Sequence, residues 1–132
     1  MPLKVTFAMA AALLLAALPM AAHHSFSMFD MTKKVTLDGA VVTEFQWTNP
    51  HVYIEVDVAD GTGPAKHWSV ELGSPSILLK GGWKHNDLKK GDKATIIVSP
   101  LKNGMSGGFL EQITLSDGRV LGNGPGRGPQ PK

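Results

Sequence analysis

The residues best suited to chemistry lie close to the start of the chain, where two histidines precede two methionines. His23 and His24 are adjacent, and Met28 and Met31 follow shortly afterwards. Imidazole nitrogens suit copper(II), and thioether sulfurs suit copper(I). If cleavage exposes His23, its α-amine and imidazole can chelate one ion together. Cleavage before Ala22 places a histidine third in the chain, where the amine, two backbone amides and the imidazole can surround copper(II). Whether the mature chain begins at His23 or at Ala22, we expect its N-terminus to chelate copper.

His51 is a further candidate metal ligand, because it follows Asn49-Pro50 at the start of a predicted strand. Pro50 fixes the turn and the Asn49 side chain can cap it. That turn would aim the imidazole at a metal or a pocket. The same motif also suits a tight strand connection in which His51 bonds locally. Beside it, Trp47, Asn49 and Tyr53 are candidates for a ligand-binding surface.

The remaining polar side chains are more typical of solvated strand faces. His67 alternates with inward positions and His85 lies in a polar loop, so we expect both to be structural or inert. Glu55, Asp57 and Glu71 fall on the outer faces of neighbouring predicted strands. A carboxylate pair can do acid–base work, but solvation is the ordinary role of such residues.

Composition excludes several classes of protein. The chain has 132 residues, enough for one domain. The absence of cysteine excludes a disulfide framework, thiolate catalysis, a cysteine zinc site and iron–sulfur chemistry. A net charge of +2 is too weak to indicate nucleic acid as a partner. The sequence contains no nucleophile elbow, phosphate loop or zinc-protease motif. A non-enzymatic binding module is therefore favoured, with a copper-dependent redox enzyme as a minor alternative.

The first 22 residues have the layout of a secretory signal peptide. A single Lys4 precedes an apolar stretch over residues 5–18, and small residues follow it. The stretch is shorter than the roughly 20 residues that span a bilayer. We therefore expect export to the periplasm, with no stable membrane insertion after cleavage. Residues 23–32 form a leader that contains the histidines and methionines.

The elements that must position these residues are short strands with one helix. Residues 33–47, 52–58 and 68–72 alternate with period two, and Gly39 marks a bend in the first strand. Ser74-Pro75 and Gly81-Gly82 are helix start and stop signals. Residues 93–99 and 109–115 give two more strands. The order β-β-β-α-β-β predicts an all-β, five-stranded OB-like barrel over residues 33–121. Another small antiparallel barrel or sandwich is the competing interpretation. The Gly/Pro-rich residues 122–132 are predicted to be disordered.

Several motifs resemble an uncharacterised family of small exported proteobacterial proteins, domain-of-unknown-function family 6152. The motifs are His23-His24-Ser25-Phe26, Met28-Phe29-Asp30, the segment 45–52 with its Trp-Thr-Asn-Pro-His core, Gly73-Ser74-Pro75, Gly82-Trp83, Gly91-Asp92 and Asp117-Gly118-Arg119. The resemblance covers essentially the whole chain after residue 22. It implies export and a single β domain, and it supplies no activity. The residues themselves predict an exported binding module of unknown physiological role, with copper at its mature N-terminus as the candidate ligand. Alternatively, a metal-independent accessory protein binds a partner protein or a small ligand on the barrel face.

Overall fold

The computed structural model describes residues 24–125, and these form an all-β domain with two short helices. In chain order the elements are α1 (His24–Ser27), β1 (Val35–Gln46), β2 (Tyr53–Val58), β3 (Lys66–Glu71), α2 (Pro75–Lys80), β4 (Lys93–Pro100), β5 (Gly107–Leu115) and β6 (Val120–Gly122). From β1 to β5 the order is the predicted one, with a single helix between the third and fourth strands.

Pairing between β3 and β5 closes the sheet into a barrel. The sheet runs in the order β3-β2-β1-β4-β5-β6, and neighbouring strands are antiparallel. Strands β3 and β5 pair in parallel. Five strands therefore form a closed barrel, which protects the strand edges from pairing with other chains. The OB-like barrel is confirmed, and β6 is an additional strand beside β5.

The long strand β1 serves both halves of the barrel because its pairing is interrupted twice. Its register against β4 shifts between Leu37 and Ala40, where Gly39 has a φ of +59°. A second shift, against β2, lies between Val42 and Glu44. The predicted bend at Gly39 is confirmed. The period-two alternation predicted for residues 33–47 is interrupted, since Leu37 is buried before the bend and Ala40 and Val42 are buried after it. A bulge adds one residue and so moves the following side chains to the opposite face.

Helix α2 begins and ends at the predicted signals. The Ser74 hydroxyl accepts a hydrogen bond from the backbone N–H of Ile77 at 3.4 Å, and Pro75 is the first helical residue. Gly81 caps the other end. Leu78 is fully buried and belongs to the hydrophobic core of the barrel. The helix is therefore fixed to the barrel by an apolar contact, as its short length requires.

The leader is docked on the barrel. Phe29 is only 3% exposed and forms an isolated β-bridge with Leu101. Its ring lies 5.5 Å from that of Phe109, and the exposed ring of Phe26 packs edge-on to Phe109 at 5.1 Å. Aromatic pairs of this geometry contribute beyond the area that they bury. The segment between α1 and β1 therefore belongs to the folded domain.

The C-terminal side of the domain extends past the predicted boundary at residue 121. Asn123 is buried, and its side chain accepts a hydrogen bond from the Gly73 N–H at 2.7 Å and donates one to the Leu110 carbonyl at 3.1 Å. The rest of the predicted disordered tail, residues 126–132, lies outside the described residues, as do the predicted signal peptide and His23. Within residues 24–125 no helix is long and apolar enough to cross a membrane.

Candidate functional site

A groove of about 310 Å³ lies between the leader and the outer face of strands β2 and β3. Its walls come from the leader, from strands β2, β3 and β5, and from the loop that joins β4 to β5. The lining residues are Met28, Phe29, Tyr53, Ser69, Glu71, Leu101, Met105, Ser106, Gly107 and Gly108. OB-like barrels bind ligands on the face of strands two and three, beside the loop between strands four and five. The groove therefore occupies the place where this architecture holds its ligands.

The barrel closure itself shapes the floor of the groove. Gly107 and Gly108 lie on β5 where it pairs with Ser69 and Val70 of β3. A Cβ atom on Gly107 would come within 2.6 Å of the Leu101 side chain. The same Cβ position is 3.3 Å from the Ser69 carbonyl oxygen of β3, so the absence of a side chain at Gly107 allows β5 to lie close to both Leu101 and β3.

His51 is held beside the groove by an acidic residue of β3. Its Nδ1 is hydrogen-bonded to Oε1 of Glu71, whose side chain is only 12% exposed. The turn before it is closed by the Thr48 hydroxyl, which donates to the His51 carbonyl at 2.9 Å. Asn49, predicted to cap the turn, is exposed. His51 therefore positions the carboxylate of Glu71, a residue of β3 that lines the groove.

A second histidine network continues along the same face. His67 is bonded through Nδ1 to Asp57 and through Nε2 to Glu55, both at 2.8 Å. The Ser69 hydroxyl donates to the other oxygen of Glu55 at 2.7 Å. These bonds raise the pKa of His67 above 6.5, chiefly through Asp57 and then through Glu55. The prediction that His67 faces solvent is confirmed, but the side chain is also the centre of a hydrogen-bonded cluster.

The electrostatic environment of Tyr53 is negative. Burial raises the pKa of its hydroxyl, and the charges of Glu71 and Glu55 raise that pKa further. The three carboxylates of this face, which include Asp57, form ion pairs with His51 and His67. This face therefore has three acidic side chains against two imidazoles. A groove beside such a face favours cations over anions.

The structure separates the predicted metal ligands. Met28 lines the groove, whereas Met31 is exposed and does not line it. His51 reaches the groove through Glu71. His24 opens helix α1, and His23 lies outside the described residues. Across residues 24–125 no group of three or more histidine, aspartate or glutamate side chains is arranged to hold a metal ion.

The predicted surface residues are also divided. Tyr53 lines the groove. Trp47 is partly buried against the core, with its ring 5.7 Å from that of Phe45. Trp83 is 1% exposed, and its indole N–H donates to the Gly122 carbonyl at 2.8 Å. Core packing therefore accounts for these two tryptophans.

Met105 and Ser106 are groove residues that the sequence reasoning missed. They lie in the Gly-rich loop between β4 and β5, which no chemical motif marks. The one available signal was the exposure expected for Met105, an apolar residue in a polar loop. All the methionines within residues 24–125 are exposed, although methionine more often fills gaps in cores.

The fold and the groove define a small OB-like barrel with a ligand-sized cleft on its β2–β3 face. The chain belongs to the family of unknown function DUF6152, whose family model matches residues 11–111, more than half of the chain. The membership expected from the Trp-Thr-Asn-Pro-His segment and the other motifs is confirmed. No curated protein and no solved structure matches the chain.

Proposed function

We propose that the protein is an exported, non-enzymatic binding module that holds a small ligand in the groove between its leader and its β2–β3 face. The groove itself carries this proposal. Its volume of about 310 Å³ is at the lower end of the range for small-molecule sites, and apolar side chains surround a few polar groups. Export is supported by the signal-like layout of the first 22 residues.

The groove depends on docking of the leader, because leader residues form part of its wall. Met28 forms part of the wall, and its carbonyl accepts a hydrogen bond from the Lys102 N–H at 2.9 Å. The buried Phe29 holds this segment against the barrel. A ligand in the groove would therefore contact both the leader and the barrel.

Native mass spectrometry of the chain, produced with its first 22 residues and recovered from the periplasm, tests this proposal. We expect a chain that starts at His23 or Ala22 and carries a small-molecule adduct. Ser106→Phe would fill the groove and remove the adduct, whereas Ser116→Phe, on an exposed turn outside the groove, would retain it. An unprocessed chain would contradict export. A chain without an adduct, or one whose adduct survives Ser106→Phe, would contradict the groove as the site.

A second candidate function is copper binding at the mature N-terminus. The docked leader favours it, because Phe26 and Phe29 hold the residues that follow His23 against the barrel. His23 and His24 would supply nitrogen ligands, and Met28 a thioether.

The same mass spectra test this candidate. One copper per chain, lost in a folded His23→Ala variant and kept in His85→Ala, is the expected result, since His85 lies in an exposed loop. A processed chain that takes up no copper below micromolar free metal would exclude it. The groove proposal would be unaffected by that result.

A further inference from the structure

The groove combines one acidic wall with an apolar rim. Glu71 supplies the carboxylate, and its side chain is mostly buried. One of its two oxygens, Oε1, is engaged by His51. A carboxylate has about four acceptor positions, so a hydrogen bond from one imidazole leaves room for a further donor. A bound cation could therefore reach Glu71 without displacing His51.

The apolar rim comes from two segments that are distant in sequence. Met28 of the leader is 48% exposed, and Met105 of the β4–β5 loop is 67% exposed. The buried Phe29 belongs to the same lining. Flexible thioether side chains adapt to apolar groups of different shape. Such a rim fits an alkyl or aryl body.

The size of the groove helps to choose between a metal ion and an organic ligand. About 310 Å³ is much more space than a single desolvated ion needs, and it suits a molecule of several heavy atoms. The described residues also lack a cluster of three or more metal-ligating carboxylates and imidazoles. The negative environment of Tyr53 adds a preference for positive charge.

We propose that the groove binds a small organic ammonium ion, with its charged nitrogen on Glu71 and its apolar body against Met28 and Met105. This inference rests on the proposed function, since it names the class of ligand for the same groove. Ser69 and Tyr53 offer hydroxyl groups near the charged end. The rim methionines and Phe29 supply apolar contacts at the other end.

A matched pair of probes tests the charge requirement. Phenethylammonium chloride and 2-phenylethanol have similar shapes, but only the first is a cation. In a two-dimensional NMR titration of the full mature chain, we expect saturable shifts at groove residues with phenethylammonium. Affinity for the alcohol should be at least about tenfold lower, because the alcohol cannot form a charge-assisted hydrogen bond with Glu71.

Two pairs of variants locate the contacts. Glu71→Gln keeps an acceptor for His51 and removes the charge, and it should weaken phenethylammonium binding about tenfold. Glu44→Gln, on an exposed position of β1, should leave binding unchanged. Met105→Ala should weaken binding severalfold, whereas Met31→Ala, an exposed methionine outside the groove, should not. Thermal unfolding of each variant would verify that it is folded.

The outcomes separate this inference from the proposed function. Equal binding of both probes in the groove, or unchanged affinity in a folded Glu71→Gln variant, would overturn the ammonium assignment and leave a binding module. Binding of copper(I) that depends on Met28 and Met105 but not on Glu71 would replace the organic cation by a metal. No groove shifts with either probe or with copper(I), together with an adduct-free exported chain, would overturn both proposals.

Discussion

At the scale of single residues, His67 makes the stability of the outer face depend on pH. Asp57 and Glu55 raise the pKa of its imidazole above 6.5 in the folded chain. A group whose pKa is raised by folding stabilises the protein fully below its unfolded pKa. That contribution is lost as the pH rises through the folded pKa. We therefore expect the free energy of unfolding to fall from mildly acidic to mildly alkaline pH.

Urea unfolding of the native chain and of His67→Gln measures this effect. The difference in stability between the two should shrink as the pH rises through the pKa of His67, which NMR of the ring protons gives independently. The effect should be modest, because the His67 side chain is 56% exposed and solvent screens its ion pairs. His85→Gln should leave the pH dependence as it is. A constant difference across the range would contradict the assigned ion pairs.

Residue positions were predictable only where they depend on local alternation. The outward direction of His67, Glu55 and Glu71 follows from period two along β2 and β3. Their partners depend on register: Glu55 lies opposite Ser69, and Tyr53 opposite Glu71. Register between strands is a tertiary property, so the sequence pattern could not show that His51 and His67 contact carboxylates of a neighbouring strand.

At the scale of elements, Phe29 anchors the leader, and its removal should detach one wall of the groove. The side chain is 3% exposed and packs on Phe109. Phe29→Ala should lower the free energy of unfolding by about 3–5 kcal/mol, the usual effect of removing a buried phenylalanine ring. Urea denaturation measures the loss. Phe26→Ala is the matched control: its ring also contacts Phe109 but is 54% exposed.

We expect Phe26→Ala to lower the free energy of unfolding by only about 1 kcal/mol, close to the contribution of one aromatic pair. Equal losses in the two variants would mean that burial does not distinguish the two rings. Hydrogen exchange supplies a second reading if Phe29→Ala is too unstable for equilibrium unfolding. The Asp30 and Lys102 amides, which bond across the junction of leader and barrel, should then lose protection before the core strands do.

Elements whose ends carry strong local sequence signals were predicted well. Elements whose positions depend on contacts with distant parts of the chain were not. Helix α2 agrees with its Ser74, Pro75 and Gly81 signals. The bulge in β1 was marked by Gly39, but the change of face beyond it was not. The leader has no periodicity, and the burial of Phe29 arises from a bridge to Leu101 far along the chain. Docking of this kind depends on the assembled barrel.

At the scale of the whole molecule, the strand order was predictable from the sequence. The groove was not, because it forms only when β3 pairs with β5 and closes the barrel. Three strands, a helix and two further strands are typical of an OB-like barrel. The groove requires the parallel contact of β3 with β5, and its lining contains both Met28 and Met105. Those two residues are far apart in sequence, and no spacing links them. Met31, a copper ligand predicted from its closeness to Met28 in sequence, lies outside the groove.

Closure of the barrel should be sensitive to a single methyl group at Gly108. A Cβ atom there would lie 2.7 Å from the Val98 side chain and 2.8 Å from the Ser99 carbonyl oxygen, so the strands would have to separate. Gly108→Ala should lower the free energy of unfolding by about 1–3 kcal/mol, the usual cost of overpacking, and should weaken ligand binding because the groove floor moves. Urea unfolding and the phenethylammonium titration measure the two effects.

Gly63→Ala is the matched control, because the nearest atom to its new Cβ is the Asp60 carbonyl oxygen at 3.5 Å, an ordinary contact. That change should be neutral or slightly stabilising, since alanine restricts the unfolded chain where the native backbone tolerates it. If Gly108→Ala were as stable as Gly63→Ala, the approach of β5 to its neighbours would be looser than the structure shows. If it lost stability but kept full affinity, the groove floor would not be set by this contact. Loss of both would tie the ligand site to the closure of the barrel.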